Sequence, residues 1–207
     1  SSDLKQMATH ATAAGALAAL RHAGPVRQVM PRRGIGPKGE AVVLPHEFAY
    51  AEVGRLDPEG RGGVHLTLQA GRAVRLSPRV VRVTAPNPGP MTGPGTNSYL
   101  VGDGTRCTVI DPGPVSEEHL AALLAAAPGR IERILVTHTH RDHSPGAVAL
   151  AQATGAPVWG RVAAHPAWQD ESFSPAHAPQ HGDVIDAGAG TTLRVLHTPG
   201  HASNHLC

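Results

Sequence analysis

Seven consecutive residues, Thr137-His138-Thr139-His140-Arg141-Asp142-His143, constrain this chain more than any other stretch. Three imidazoles and a carboxylate fall within them. The preceding run, Ile134-Leu135-Val136, is apolar and largely β-branched, which predicts a strand. Ser144 and Pro145 follow and predict a helix start, with Ser144 as N-cap and Pro145 at the first helical position. The stretch therefore reads as strand, tight loop and helix, with four potential metal ligands on the loop. Each neutral imidazole presents a lone pair, and several aimed at one point repel unless a cation lies between them. Imidazole nitrogen and carboxylate oxygen both suit Zn²⁺, at about 2.0–2.2 Å. A solvated histidine-rich tract is the alternative, but it leaves the strand and helix signals on either side without a reason.

A second histidine loop lies downstream. Thr191–Leu196 predicts a strand that runs into His197-Thr198-Pro199-Gly200-His201. Two strands that both end in histidine loops can bring their tips together at one sheet edge. His138, His140 and His201 would then form a three-histidine site with an open fourth position, the arrangement of a catalytic rather than a structural zinc. Asp142 and His143 would face a second position beside it.

Composition narrows the class. The chain has 207 residues, enough for one large domain or one domain plus an extension. Aromatics make up only 3%, so the core must be built from Ala, Val and Leu. The balance of 18 Lys and Arg against 16 acids, a net charge of +2, announces neither a nucleic acid nor a membrane surface. Two cysteines, Cys107 and Cys207, make no disulfide framework. Cys107 sits in an apolar run and reads as a small buried residue. No run of 18 apolar residues is present, so no membrane-spanning helix, no membrane partner and a cytoplasmic location are expected.

Taken in order, Leu4 to His22 predicts an Ala-rich helix stopped by Gly24-Pro25. Pro31–Gly39 is basic and glycine-rich and reads as a solvated loop, because it fits no phosphate-binding pattern. Strands are predicted at Ala41–Leu44 and Val64–Leu68, with a turn at Asp57-Pro58-Glu59-Gly60 between them. Val80–Thr84 predicts the next strand, followed by a long Pro/Gly loop. Ser98–Val101 and Cys107–Ile110 predict a hairpin turning at Gly102-Asp103-Gly104. Ser116 caps a predicted helix from Glu117 to Ala127. Ile131–Val136 is the strand that delivers the histidine loop, and Pro145–Ala153 and Pro157–Gly160 are the helix and strand after it. Residues 161–182 read as irregular, and Asp183–Ile185 pairs with Thr191–Leu196. His119 reads as a surface residue. His165, His177 and His181 read as solvated loop residues, and His197 as packed or hydrogen-bonded rather than ligating.

T-H-T-H-R-D-H, Val109-Ile110-Asp111-Pro112-Gly113 and H-T-P-G-H together resemble the metallo-β-lactamase superfamily. The stretch from Arg75 to Gly102, with its N-P-G-P-M-T-x-x-G-T-N-x-Y-L-V-G core, is similar to the β-lactamase-like protein 2 group within it. The resemblance implies an α+β fold, the N-terminal half of an αββα sandwich, over residues 74–207, with residues 1–73 as a small N-terminal extension. It implies that His138, His140 and His201 bind a first zinc and that Asp142 and His143 bind a second. One or two Zn²⁺ per intact domain are thus expected, with Asp142 also the candidate catalytic residue. Asp111 is implied as a buried carboxylate supporting the histidine loop from behind.

The implied activity is a zinc-dependent hydrolase using an activated hydroxide on an ester, thioester, lactone, β-lactam or RNA phosphodiester. The partner is accordingly a small-molecule or RNA substrate. The family also uses an aspartate that bridges both metals and a later histidine, both downstream of H-T-P-G-H, whereas this chain ends six residues after His201. The alternative is therefore a non-catalytic zinc-binding or interaction module, or an inactive fragment of such a hydrolase. Asn204 stands where related sequences often place an aspartate.

Overall fold

The computed structural model of the chain describes residues 30–207 apart from 48, 166 and 189, together with positions 12, 14, 15 and 18. The helix expected over Leu4 to His22 lies almost wholly outside the described residues. The central element is a six-stranded sheet in the order β3 (Ala73–Ser77), β4 (Val80–Thr84), β5 (Asn97–Gly102), β6 (Arg106–Ile110), β7 (Arg130–Leu135) and β8 (Val158–Trp159). Its first four strands are antiparallel, β4 and β5 joined by the long Pro/Gly loop and the other two pairs by short turns. β6, β7 and β8 run parallel, each pair joined through a helix: α2 (Glu117–Ala126), then α3 (Gly146–Thr154). This is the mixed α+β architecture that the resemblance implies.

Adjacent strand residues point to opposite faces, and β7 shows it. Ile134 is fully buried and joins Val83, Leu100, Val109, Leu123 and Leu150 in the main core, under α2 and α3. Leu135 packs instead with Ile185, Val195 and Leu206 on the other face. That second cluster belongs to the hairpin of β9 (Val184–Gly188) and β10 (Thr191–Arg194) and to the last residues of the chain. Backbone hydrogen bonds pair Leu196 with Cys207 in both directions, at 2.7 and 2.8 Å. Leu206 N donates to Thr137 O at 2.8 Å, which ties this final segment to the end of β7.

Several local expectations change. Pro31–Gly39 is not a solvated loop: Arg32–Gly36 and Gly39–Val43 form a hairpin, β1 and β2. Gly39, at φ 107, supplies the positive dihedral that its turn needs. Val64–Leu68 is not a strand, and His65 makes only an isolated bridge to Ile35. The segment is held by Ile35 N and O instead, which take up Val64 O and Leu66 N. Short α1 (Tyr50–Leu56) joins this N-terminal part to the sheet through Glu52, which pairs with the nearly buried Arg82 of β4 at 2.7 Å. Ser144 does not cap α3. The helix begins at Gly146, and the Ser144 hydroxyl donates to Asp170 Oδ2 at 2.8 Å. Ser116, by contrast, accepts from His119 N at 3.1 Å and caps α2 as expected. Among the described residues, no helix is long and apolar enough to cross a membrane.

The packing makes a direct prediction. Ile134→Ala leaves a cavity between sheet and helices and is expected to cost about 2–5 kcal/mol in urea unfolding. Val42→Ser, at a site more than half exposed in the β1–β2 hairpin, should change stability by less than about 0.5 kcal/mol.

Candidate metal centre

Parallel pairing of β6 and β7 decides where the site forms. Ile110 pairs with Leu135, so both strands end at one level and their following residues meet. Carboxyl ends of parallel strands are where such sheets place their sites. Asp111 follows β6, and Thr137 lies two residues beyond β7. Asp111 has a left-handed backbone, φ 51, which Asp tolerates better than most residues. Asp111 is buried, with 6% of the residue exposed, so its carboxylate must be hydrogen-bonded. Oδ1 accepts from Thr137 N at 2.7 Å, and Oδ2 accepts from Thr137 Oγ1 at 2.7 Å and His143 Nδ1 at 2.9 Å. One carboxylate therefore grips both ends of the histidine loop. Gly146 lets α3 start against this turn, because a Cβ there would lie 2.6 Å from Pro112 O.

These bonds assign the histidine tautomers. Thr137 spends its hydroxyl proton on Asp111, so its oxygen accepts from His138 Nδ1–H at 2.9 Å. His138 Nε2 then carries a lone pair, and it faces His140 Nδ1 at 3.0 Å. His201 closes the group: its ring centroid lies 4.9 Å from that of His138 and 4.7 Å from that of His140. One nitrogen from each of the three rings lies within 4.8 Å of the others. Burial pushes the His138 pKa down to about 3, with its neighbouring histidines adding to the effect. Burial, then His201, lowers that of His140 as well. Both rings are therefore neutral donors at pH 7. This donor set fits a divalent cation, with His138 buried at the base and His201 exposed at the rim.

Asp142 and His143 sit beside the triad as a pair. His143 gives its Nδ1–H to Asp111, and its Nε2 lies 3.3 Å from Asp142 Oδ2. Two acceptors face each other there unless a proton or a cation comes between them. Burial opposes a charge on His143, but the Asp111 hydrogen bond, the Asp111 charge and Asp142 outweigh it and raise the pKa. Thr96, from the Pro/Gly loop, donates to the same Asp142 oxygen at 3.2 Å. The structure thus brings all six sequence-derived residues to one sheet edge: three as a nitrogen cluster, two as an adjacent pair, and Asp111 behind them.

His119 was expected on the surface and is 1% exposed. Its Nε2 lies 2.8 Å from Ser98 Oγ, and Ser98 donates to the Asp111 carbonyl. Ser98 therefore accepts from His119 Nε2–H, and α2 reaches through it to hold the Asp111 backbone. Gly113, at φ 81, belongs to the same fit, because a Cβ there would lie 3.1 Å from the His119 ring. Helical spacing alone did not mark the position, since Glu117 and Glu118 beside it are solvated. His165, His177 and His181 are exposed, as expected of loop residues, and His197 Nε2 bonds Ser203 O at 3.1 Å rather than joining the cluster.

Comparison with known proteins follows the same residues. A family model described as the Metallo-beta-lactamase superfamily matches residues 91–207, more than half of the chain. The chain is 37% identical over 142 residues to an atrochrysone carboxyl ACP thioesterase of Aspergillus chevalieri, covering 64% of this chain and 42% of that protein. It is 37% identical over 171 residues to the lactamase-like protein vrtG of Penicillium aethiopicum, covering 81% and 52%. The chain thus spans about half, or less, of the length of these relatives. Their names are those of fungal lactamase-like proteins and thioesterases, not of the β-lactamase-like protein 2 group. Among solved structures, a Cronobacter sakazakii metallo-beta-lactamase matches with TM-score 0.54 at 21% identity, covering 65% of this chain and 58% of that one. GOB-18 from Elizabethkingia meningoseptica matches with TM-score 0.52 at 20% identity, covering 67% and 55%. These likenesses show the fold.

Two outcomes follow from the support beneath the triad. Asp111→Ala removes the acceptor of Thr137 and His143 and should weaken divalent-metal binding about 10- to 100-fold in a calorimetric titration. Burial lowers the His119 pKa to about 4 from its ordinary 6.5. The unfolded chain therefore binds the extra proton first, so this stabilising share is full above pH 6.5 and is lost as pH falls towards 4. In urea unfolding at pH 7 and pH 4.5, His119→Asn should show a smaller loss between the two than wild type, by on the order of 2 kcal/mol.

Proposed function

Because the chain belongs to the metallo-β-lactamase superfamily, a superfamily of hydrolases, we propose that it is a zinc-dependent hydrolase acting on an acyl thioester. The observation that carries this reading is the convergence of neutral His138 and His140 with His201 on one point. Three imidazole nitrogens with an open approach from the rim suit Zn²⁺ in a catalytic setting. When bound, the cation supplies Lewis acidity, which polarises a substrate carbonyl and makes water nucleophilic near neutral pH. Asp142 and His143 supply the first two ligands for a second cation in this reading.

The protein's own residues do the rest. The triad nitrogens hold their orientation through Thr137 and Asp111. In this reading Asp142, which accepts a hydrogen bond from Thr96, takes the proton of the attacking water. Water oxygen bonds to the acyl carbon, the carbon–sulfur bond breaks, and the thiol leaves with the proton. Thioester is favoured over β-lactam because relatives named as thioesterases are 32–37% identical over 64% of this chain, whereas the lactamase structures are near 20%. The net charge of +2 gives no separate support to an RNA substrate.

The test is thiol release from simple acyl thioesters by the zinc-loaded chain. Turnover that a chelator abolishes and zinc restores is expected. His140→Ala should lower it more than about 100-fold, together with metal retention, and leave the circular dichroism spectrum unchanged. Full turnover in that variant contradicts the reading. Zinc bound at the triad with no turnover on thioester, ester or RNA supports a non-catalytic metal-binding module instead.

A further inference from the structure

The three histidines lie on two loops far apart in sequence, so something must set the distance between the loops. The backbone bond from Leu206 to Thr137 joins their bases only. His205 packs its ring on that of His138, with centroids 5.0 Å apart, and the side-chain hydrogen bond that joins the loops runs between Asn204 and Thr139. Thr139 lies between His138 and His140, is 1% exposed, and has its hydroxyl bonded to Gln169 and Asn204. Asn204 lies three residues after His201 and is 2% exposed.

Their hydrogen bonds run in one direction. Asn204 Nδ2 donates to Thr139 Oγ1 at 2.9 Å and to Arg161 O at 2.7 Å. Thr139 passes its own proton to Gln169 Oε1 at 2.6 Å. Arg161 O can only accept, and this fixes which end of the Asn204 amide is nitrogen. Both amide hydrogens are used, the hydroxyl is used once each way, and Asn204 Oδ1 is left without a partner. Gln169 is itself placed by a backbone bridge to His140, and Asp170 N donates to Thr139 O at 2.6 Å. Three segments therefore meet on one buried hydroxyl: the loop of His138 and His140, the turn of His201, and the irregular stretch that holds Arg161 and Gln169.

We propose that Asn204 is a positioning residue for the metal centre: by bonding Thr139 from the far loop, it sets the distance of His201 from His138 and His140. This rests on the reading of those three histidines as a cation site. A carboxylate cannot do the same work in this arrangement. An aspartate at 204 would point an acceptor at Arg161 O, and it could keep Thr139 only by taking the proton that Thr139 gives to Gln169. Asn204, at a position where related sequences often carry an aspartate, thus occupies a site built for a donor, and the neighbouring Arg161 carbonyl is what selects the amide.

Cobalt(II) titration of the metal-free chain tests this, read by calorimetry and by the visible d–d absorption, which reports ligand geometry without any turnover. Wild type, Asn204→Asp, Thr139→Val and Thr139→Ser are compared, each with circular dichroism and urea unfolding in the metal-free form. Asn204→Asp and Thr139→Val should bind cobalt about 10- to 100-fold more weakly with an altered spectrum, while Thr139→Ser, which keeps the hydroxyl, stays within about threefold of wild type. Thr139→Val changes no charge and little volume, so it serves where Asn204→Asp fails to fold. Wild-type affinity and spectrum in the folded Asp or Val variant overturn the proposal while leaving the triad reading intact. Absence of cobalt binding by wild type itself overturns the triad reading, and this proposal with it.

Discussion

A single buried carboxylate holds this site together. Asp111 closes β6 in a left-handed conformation and accepts three hydrogen bonds, two from Thr137 and one from His143. Burying a carboxylate is costly unless its oxygens are taken up, so the histidine loop and Asp111 stabilise each other. The loop cannot move away without stranding the charge, and the charge orients the loop. Charge-assisted bonds of this kind are stronger than neutral ones. Everything nearer the substrate depends on it: the His138 tautomer through Thr137, and the ring of His143 directly.

The rest of the fold aims that carboxylate. Parallel pairing of β6 with β7 brings Asp111 to Thr137. From behind, α2 holds the Asp111 carbonyl through His119 and Ser98, and α3 abuts Pro112 through Gly146. The β9–β10 hairpin and the segment after it carry His201 in from the other face of the sheet. The site is therefore rigid where the sheet supports it and open at His201. A binding centre benefits from that order, because its donors need no rearrangement when a cation arrives.

Much of this was legible in the residues, for reasons that can be named. H-x-H-x-D-H and H-T-P-G-H are short-range patterns whose chemistry does not depend on distant packing, and both fell at strand ends as read. Val80–Thr84 and Ile131–Val136 were visible because buried strands favour β-branched residues. The failures were of a different kind. His119 is buried by a long-range contact with Ser98 that helical periodicity cannot carry. The β1–β2 hairpin was hidden because Gly34, Gly36 and Gly39 make a strand pair look like a loop. Ser144 fitted the N-cap pattern, yet its hydroxyl went to Asp170, a partner 26 residues away. The pairing of Asn204 with Thr139 spans 65 residues, and no local pattern could have announced it.

The proposed cation site is made by one nitrogen each of His138, His140 and His201. Anomalous diffraction at the zinc edge, from crystals of the chain grown with zinc, tests it most directly. A peak bonded to one nitrogen of each of these three rings at about 2.0–2.1 Å is expected. A zinc peak elsewhere with the triad empty, or one that engages His197 or His205, whose ring centroid lies 5.0 Å from that of His138, in place of His201, would contradict this site.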